Sequence, residues 1–451
     1  MDINLIRDCK EKVISNEKNR FNNISKIDIL FKLDEYWKDL RNELNILNRA
    51  KSDISKSVKN SSNEINLDIE GHENEIISKV KERKCELNNL TKTQLVRLSK
   101  ILGQEITQKK SKLDEMENER NDLLSNLSNF LDPRVVISNN EEDNLVITNK
   151  QNKLNYENII HKLNHVNLCE KLNIINTERG SAIAGNRGYF LNHYGVLLNN
   201  AIIRYAIDFL VERNFNLLYT PFFMKQDKMS KVAQLSEYDE SLYKIDTGDD
   251  ANPTYLIATS EQPLTALHEN TYLSDSQLPI RYAGQSTCFR KETGAHGKDT
   301  LGIFRVHQFE KIEQFCITSP EKSNEMMEEM ITNCKDFYDS LGISYRIVSI
   351  VSGALNNAAA IKYDLEAYFP GSKSFRELVS CSNCTSYQSK KADIKYKDNN
   401  SGYVHMLNST LCANTRTMCC ILETYQTKNG VIIPQVLRKY MNGKEFLEFI
   451  D

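Results

Sequence analysis

Apolar positions give the chain two textures. From Leu30 they recur as Leu30, Leu33, Trp37, Leu40, Leu44, Leu47, Ile54 and Val58. The steps alternate between three and four, the spacing of a heptad stripe along one helix face. A second stripe runs through Leu95, Leu98, Leu102, Ile106, Leu113, Met116, Leu123 and Leu127. Leu-Asp-Pro at 131–133 stops it, because proline cannot continue the hydrogen-bond ladder. Residues 59–91 between the stripes are polar and show no clear stripe of their own. Two long stripes joined by a polar segment predict an antiparallel hairpin within one chain. The alternative is a parallel dimer in which each stripe pairs with its copy. Residues 1–26 read as a short helix and a polar connector.

From about residue 165 glycines enter, as in GSAIAGNRGYF, and β-branched runs alternate with helical ones. GVLLNNAIIRYAIDFLVERN predicts a helix, whereas LLYTPFFM, YLIAT, LPIRYAGQSTCFR, FRVHQFEKIEQFCI and SYRIVSIVSG predict strands. Strands over 281–292 and 303–316 flank a glycine-bearing loop, which makes them antiparallel neighbours. The expected fold class is α+β, a mostly antiparallel sheet behind an N-terminal α-helical coiled-coil hairpin. The expected domains are a helical arm over 1–135 (coiled coil about 27–131), a linker over 136–164 and a catalytic domain over 165–451.

The net charge of −3 leaves any basic surface to be local. The start, MDINLIRDCKEK, is charged, and no run of about 18 apolar residues occurs, so neither a leader nor a membrane span is expected. The eleven cysteines form no framework and are expected to be mostly reduced and buried. Neither glycine fingerprint of the Rossmann and P-loop routes to phosphate is present. KMSK at 228–231 matches a short signature of class I synthetases but lacks its upstream partner motif. CSNC at 381–384 is a lone C-x-x-C, and His161 and His165 in HKLNH have no third ligand nearby; both histidines read as loop or surface residues.

The informative stretch is STCFRKETGAHGKDTLGIFRVHQFEKIEQF, residues 286–315. Phosphate favours planar bidentate donors such as arginine, an adenine ring favours an aromatic face, and an α-ammonium favours a carboxylate. Arg290, Glu292, Arg305, Phe309 and Glu313 on one hairpin therefore suit a bent ATP. Strand alternation puts Arg305, His307 and Phe309 on one face, with Glu313 following if the pleat continues. A cross-strand salt-bridge network on an exposed sheet is the plainer reading of the same charges.

This stretch resembles motif 2 of class II aminoacyl-tRNA synthetases, in particular the seryl-tRNA synthetase family. YTPFFM (219–224) resembles motif 1, and HMLNSTLCANTRTMCCILETYQ (405–426) resembles motif 3. YLIATSEQPL (255–264) and FRELVSCSNCTSYQSKK (375–391) also follow the family pattern. With the helical arm, the likeness covers essentially the whole chain. It implies a cytoplasmic, homodimeric ligase that activates L-serine with ATP and Mg²⁺ and transfers it to tRNA(Ser), with tRNA(Sec) a further possible acceptor. The arm would bind the tRNA; no membrane is involved and no structural zinc is expected. By the same likeness Arg290, Glu377 and Arg416 are catalytic. The ATP site comprises Arg290, Glu292, Arg305, Val306, His307, Gln308, Phe309, Glu377, Leu378, Val379, Ser380 and Arg416. The serine site comprises Thr259, Glu261, Arg290, Glu313, Asn408 and Thr410, and Glu377 with Ser380 would hold Mg²⁺. Without the likeness, Thr259 would read as a helix N-cap and Asn408 as a turn residue. Competing readings are a synthetase-like homologue that charges no tRNA, another class II synthetase, and a coiled-coil scaffold with a degenerate domain.

Overall fold

Helices of 36 and 34 residues realise the two stripes: α2 (Ser25–Asn60) and α4 (Lys92–Ser125). They belong to a computed structural model that describes residues 3–60, 71–152, 162–232, 241–248, 251–293, 301–397 and 402–450. A capping box starts α4: Thr91 Oγ1 accepts from Gln94 N–H, and Gln94 Oε1 accepts from Thr91 N–H. α4 ends at Ser125, before the proline signal at 133, with Asn126 as its cap. The helices pack within one chain and run antiparallel, since Tyr36 meets Lys112 and Glu43 meets Lys109. Leu47, Ile54, Leu95, Leu98 and Leu102 form one buried seam; Leu40, Leu113 and Met116 form another. In the stretch that shows no stripe, Glu73–Lys81 forms a helix, α3, whose Ile77 and Val80 extend the first seam. Two buried positions are too few to register as a period.

The chain divides into two compact units, one of Asp2–Ser15 with Asn23–Leu127, the other of Asn16–Asn22 with Ser128–Asp451. Helix α1 (Ile3–Asn19) bends at Cys9, which leaves helical geometry, and contributes to both. The second unit thus begins earlier than the catalytic boundary expected at 165, and it includes a short N-terminal segment.

Its centre is an eight-stranded sheet. In chain order the strands are β1 (Leu145–Lys150), β2 (Asn216–Tyr219), β3 (Ile280–Phe289), β4 (Gln308–Thr318), β5 (Tyr345–Ser349), β6 (Ile361–Phe369), β7 (Ser374–Asn383) and β8 (His405–Ala413). The spatial order is β1-β5-β6-β7-β8-β4-β3-β2. Every pair is antiparallel except β2 with β3. β1 lies in the stretch expected to be a linker. LLYTPFFM splits at Thr220-Pro221: β2 joins the main sheet, while Phe223–Lys225 joins a small sheet with Lys244–Ile245 and Thr254–Leu256.

Helices α6 (Tyr194–Val211), α8 (Ser323–Ser340) and α9 (Asn414–Thr424) cover one face. α6 is long and apolar enough to cross a membrane by length and composition alone. Here Leu198, Ile202, Ala206 and Leu210 fill the core of this unit. Alternation along β4 separates the faces: Gln314 donates to Met330 O on α8, while Lys311 and Glu313 face the other way into a cavity.

His165 opens α5 (His165–Lys171) and is buried, not on a loop or the surface: its Nδ1 lies 2.8 Å from the buried Glu423 carboxylate. His161 lies outside the described residues. All eleven cysteines are free thiols, and nine are buried. Cys381 and Cys384 of the C-x-x-C are among the nine, and burial pushes both thiols up. KMSK adjoins a single helical turn, where Lys228 and Lys231 both pair with Glu269 and Met229 is buried.

In the first unit, Asp34 anchors three cations. Arg7 binds it through two nitrogens at 2.7 and 2.8 Å, Lys38 lies at 3.2 Å, and the buried Arg120 at 3.2 Å. Burial raises the Asp34 carboxyl, but hydrogen bonds from Arg7 and Lys38 outweigh it and hold it below its ordinary range. Asp34→Ala takes from the Arg120 guanidinium, 6% exposed, the nearer of its two anions and leaves it Glu117 at 3.5 Å. We expect a loss of about 3–5 kcal/mol in denaturant unfolding of the helical signal. A loss below about 1 kcal/mol would class the cluster with surface ion pairs.

Candidate active site

Two β-bulges shape the cavity face. Between β6 and β7 the register shifts so that Leu365 faces Val379 and Glu366 faces Glu377, leaving Leu378 extra. That extra residue lets Glu377 and Ser380, three apart, point to one side. Between β4 and β8 the shift leaves Leu411 extra, so Thr410 faces Glu313 and Cys412 faces Ile312. Asn408, Thr410 and Ala413 then all reach the open face.

Beneath them lies a cavity of about 420 Å³. Thr259, Glu261, Arg290, Glu313, Glu377, Ser380, Asn408 and Thr410 all line it, eight of the residues the sequence singles out. Arg290 also lines an adjoining cleft with Glu292, Arg305, Val306, Phe309 and Arg416. The candidates thus form one continuous site. Leu378 and Val379 do not enter it through their side chains, which are buried in the core. Gln308 is exposed at the start of β4.

At one end sits a buried knot. Lys311 Nζ lies 2.6 Å from Glu313 Oε2 and donates to Thr259 Oγ1 at 2.7 Å; the Thr259 hydroxyl donates to Glu313 in turn. Thr259 Oγ1 also accepts from Glu261 N–H at 3.3 Å, but the N-cap of the helix that follows is Ser260, not Thr259. Glu261 begins α7 (Glu261–Leu267), and its carboxylate accepts from Asn408 Nδ2 at 2.9 Å and Gln388 Nε2 at 2.5 Å. Asn408 sits inside β8, not in a turn.

At the other end three guanidinium groups converge. Arg290 packs over the Phe309 ring, 5.2 Å from its centroid, with Nε 3.4 Å from Ala258 O. Its backbone pairs with His307: Arg290 N–H donates to His307 O, and His307 Nδ1 lies 2.9 Å from Arg290 O. Arg305 and His307 precede β4 rather than alternate along it, so fold geometry, not pleat, brings Arg305 to Glu292 at 3.2 Å. Residues 294–300 of the intervening loop lie outside the described residues. Glu292 holds a positive φ of 50°, a strained backbone for a non-glycine residue, with Arg187 a further 3.8 Å neighbour of its carboxylate. Arg416, on α9, donates to Glu377 O at 3.2 Å and reaches its carboxylate at 3.5 Å. Asn414 seats that helix by accepting from Glu310 N–H of β4 at 3.0 Å. Burial lowers the Arg416 guanidinium; Glu377 opposes that, and Arg290 and Arg305 add to it.

Three members of the site carry no signal in sequence. Lys311 reads there as one more charge in FEKIE. Asp364 on β6 stands opposite Ser380, and burial, with Glu377 next, pushes its carboxyl up to about 7. Lys362 lines the cavity two residues before it. Only strand pairing brings Asp364 and Lys362 to the site. Glu377 and Ser380 offer oxygen donors alone, which suits a hard cation such as Mg²⁺.

Residues 243–425 match the model of the class II tRNA synthetase core domain (G, H, P, S and T). The whole chain is 45% identical to a serine–tRNA ligase, cytoplasmic, of Arabidopsis thaliana, covering 96% of that protein. It is 44% identical, again over its whole length, to that of Dictyostelium discoideum, covering 95% of it. Among solved structures it resembles the cytoplasmic serine-tRNA ligase of Naegleria fowleri in complex with AMP. The TM-score is 0.86 at 44% identity, with 100% of this chain and 99% of that one covered. The seryl-tRNA synthetase of Pyrococcus horikoshii complexed with ATP follows at TM-score 0.84 and 32% identity, with both chains fully covered.

A pocket with three converging guanidiniums suits a bare polyphosphate. Inorganic tripolyphosphate should bind with an affinity that falls as salt rises. Arg416→Gln should weaken it about tenfold, the scale of a hydrogen bond to a charged group. Isothermal titration reads both, and an unchanged affinity in the variant would put the anion elsewhere.

Proposed function

The chain belongs to the family of cytoplasmic serine–tRNA ligases, and on that premise we propose how its parts divide the reaction. The protein is an aminoacyl-tRNA synthetase that consumes ATP to attach serine to tRNA. The observation carrying the site assignment is the continuous cavity with a carboxylate–hydroxyl knot at one end and three guanidiniums at the other.

Serine's ammonium pairs with Glu313 and Thr259, and its hydroxyl meets Asn408 and Thr410. A dry pocket that bonds a hydroxyl rejects alanine by roughly 10⁴, because its own polar groups would be left unpaired. Serine's carboxylate is ionised at neutral pH, so its attack on the α-phosphorus needs no strong base. Arg290 holds the α-phosphate and that carboxylate together, supplying position and charge. Glu292 takes the adenine edge, Phe309 its face, and Arg305 with Arg416 the γ-phosphate. Val306, His307 and Gln308 surround the base, and Leu378 and Val379 contribute backbone alone. Glu377 and Ser380 would hold Mg²⁺, which would supply positive charge beside the triphosphate oxygens. The adenylate's acyl carbon is then attacked by the terminal ribose hydroxyl of tRNA.

The hairpin of α2 and α4 is the tRNA(Ser)-binding arm. Its 36-residue helix spans about 54 Å. It reads RNA shape through backbone contacts that weaken with salt. The protein acts as a homodimer through the β2 edge, where Leu217 and Tyr219 stand exposed, with Phe223 of the small sheet exposed just beyond it.

ATP–pyrophosphate exchange measured with each amino acid in turn should respond to serine alone. Arg290→Ala should lower it by about 10² to 10³, the scale of one lost transition-state donor; near-normal exchange would remove the phosphate role. Excising residues 23–127 should spare exchange and cripple charging. A short linker suffices, because Asn22 Nδ2 lies 2.9 Å from Ser128 Oγ. Equal loss of both activities would make the arm structural.

A further inference from the structure

Five consecutive backbone carbonyls, Asn356 to Ala360, each accept a hydrogen bond from the segments where the chain leaves for α2 and returns from α4. Arg20 donates through Nη1 to Asn356 O at 3.2 Å and through Nη2 to Ala359 O at 2.5 Å. Asn129 donates its N–H to Asn357 O at 2.7 Å and its side-chain amide to Ala358 O at 2.9 Å. Asp132 N–H donates to Ala360 O at 3.0 Å. These donors are themselves fixed. The buried Glu17 accepts from Ser128 N–H at 2.8 Å and Asn22 Nδ2 at 2.7 Å, and Asn16 brackets residues 129–131 from both sides.

The far side of the same loop is a wall of the cavity, through Asn356 and Ala358. The grip also reaches the serine end. Asn129 Nδ2 donates to Cys384 O at 2.9 Å, and the Cys384 thiol lies 3.5 Å from Asn408 Nδ2. Burying a guanidinium against carbonyls costs more than an amide would, and burial lowers Arg20 to about 10 with Glu17 opposing. What the guanidinium supplies in return is a rigid plane of donors that fixes two carbonyls three residues apart.

We infer that Arg20 and Asn129 are positioning residues for the serine end of the cavity, acting through the loop Asn356–Ala360. This rests on the reading above that the cavity takes serine. The N-terminal segment Asn16–Asn22 is then part of the catalytic apparatus, although its sequence places it in a helical arm.

The test uses the full chain in ATP–pyrophosphate exchange, with KM for serine and for ATP measured separately. Arg20→Met and Asn129→Ser should each raise KM for serine about tenfold. KM for ATP and kcat should stay within about twofold. Arg20→Lys should recover part of the loss. The double variant should barely exceed the larger single, since both act through one loop. If Arg20→Met does not fold, Asn129→Ser and Arg20→Lys carry the same comparison. A lowered melting temperature with unchanged KM for serine, or equal rises in both KM values, overturns the inference. A wild-type protein without serine-dependent exchange would instead remove the reading of the cavity on which it rests.

Discussion

Holding several cations on one side of a sheet, without letting fixed acids neutralise them fully, is the constraint the catalytic face depends on. Arg290, Arg305, Arg416 and Lys311 share that face with Glu292, Glu377 and Glu313. The carboxylates tie these cations from one side: Glu292 holds Arg305, with Arg187 a more distant second neighbour, Glu377 holds Arg416, and Glu313 holds Lys311. A guanidinium has five donors, so one such contact leaves most of them for a ligand. Arg290 has no acid of its own among these pairs. It rests on Phe309 and on a carbonyl, between the two ends of the cavity.

Sheet geometry makes this crowding possible. A regular strand would send Glu377 and Ser380 to opposite faces, and the extra Leu378 turns them together. The extra Leu411 does the same for Thr410 and Ala413. The residues left over, Leu378 and Leu411, are buried on the helix side, so each bulge adds core contacts while it adds a polar group to the cavity. The helices behind the sheet fix the pleat; Gln314, Asn333 and Met330 form a hydrogen-bonded chain from β4 into α8.

Much of this was legible in the chain. The heptad spacing of Leu30 to Val58 and Leu95 to Leu127 announces α2 and α4, because apolar burial on one face is what holds a long helix. The pairing of β3 with β4 follows from β-rich runs around glycine, and the family motifs bring eight candidates to one cavity. β6 was equally legible, since Ile361, Tyr363, Leu365, Ala367 and Phe369 alternate with the charged Lys362, Asp364 and Glu366, yet it is absent from the strands expected above. β1 was hidden in a polar stretch because it is an edge strand, exposed along most of its length. Asp364 and Arg20 are out of reach because their partners come from tertiary pairing, at separations local periodicity does not register; Lys311 pairs with Glu313 two residues on, and only its contact with Thr259 is of that distant kind. His165 looks like a surface residue in HKLNH because the group that pairs its Nδ1, a buried glutamate, stands 258 positions away.

The central claim is that one cavity holds serine at the Glu313–Thr259 end and phosphate at the arginine end. It is tested most directly by a crystal structure of the protein with a non-hydrolysable seryl-adenylate analogue. The account predicts the analogue's ammonium within hydrogen-bond distance of Glu313 and Thr259, its phosphate mimic beside Arg290, and its adenine against Phe309. An analogue seated elsewhere, or lying in this cavity with its ammonium toward the arginines, would contradict it.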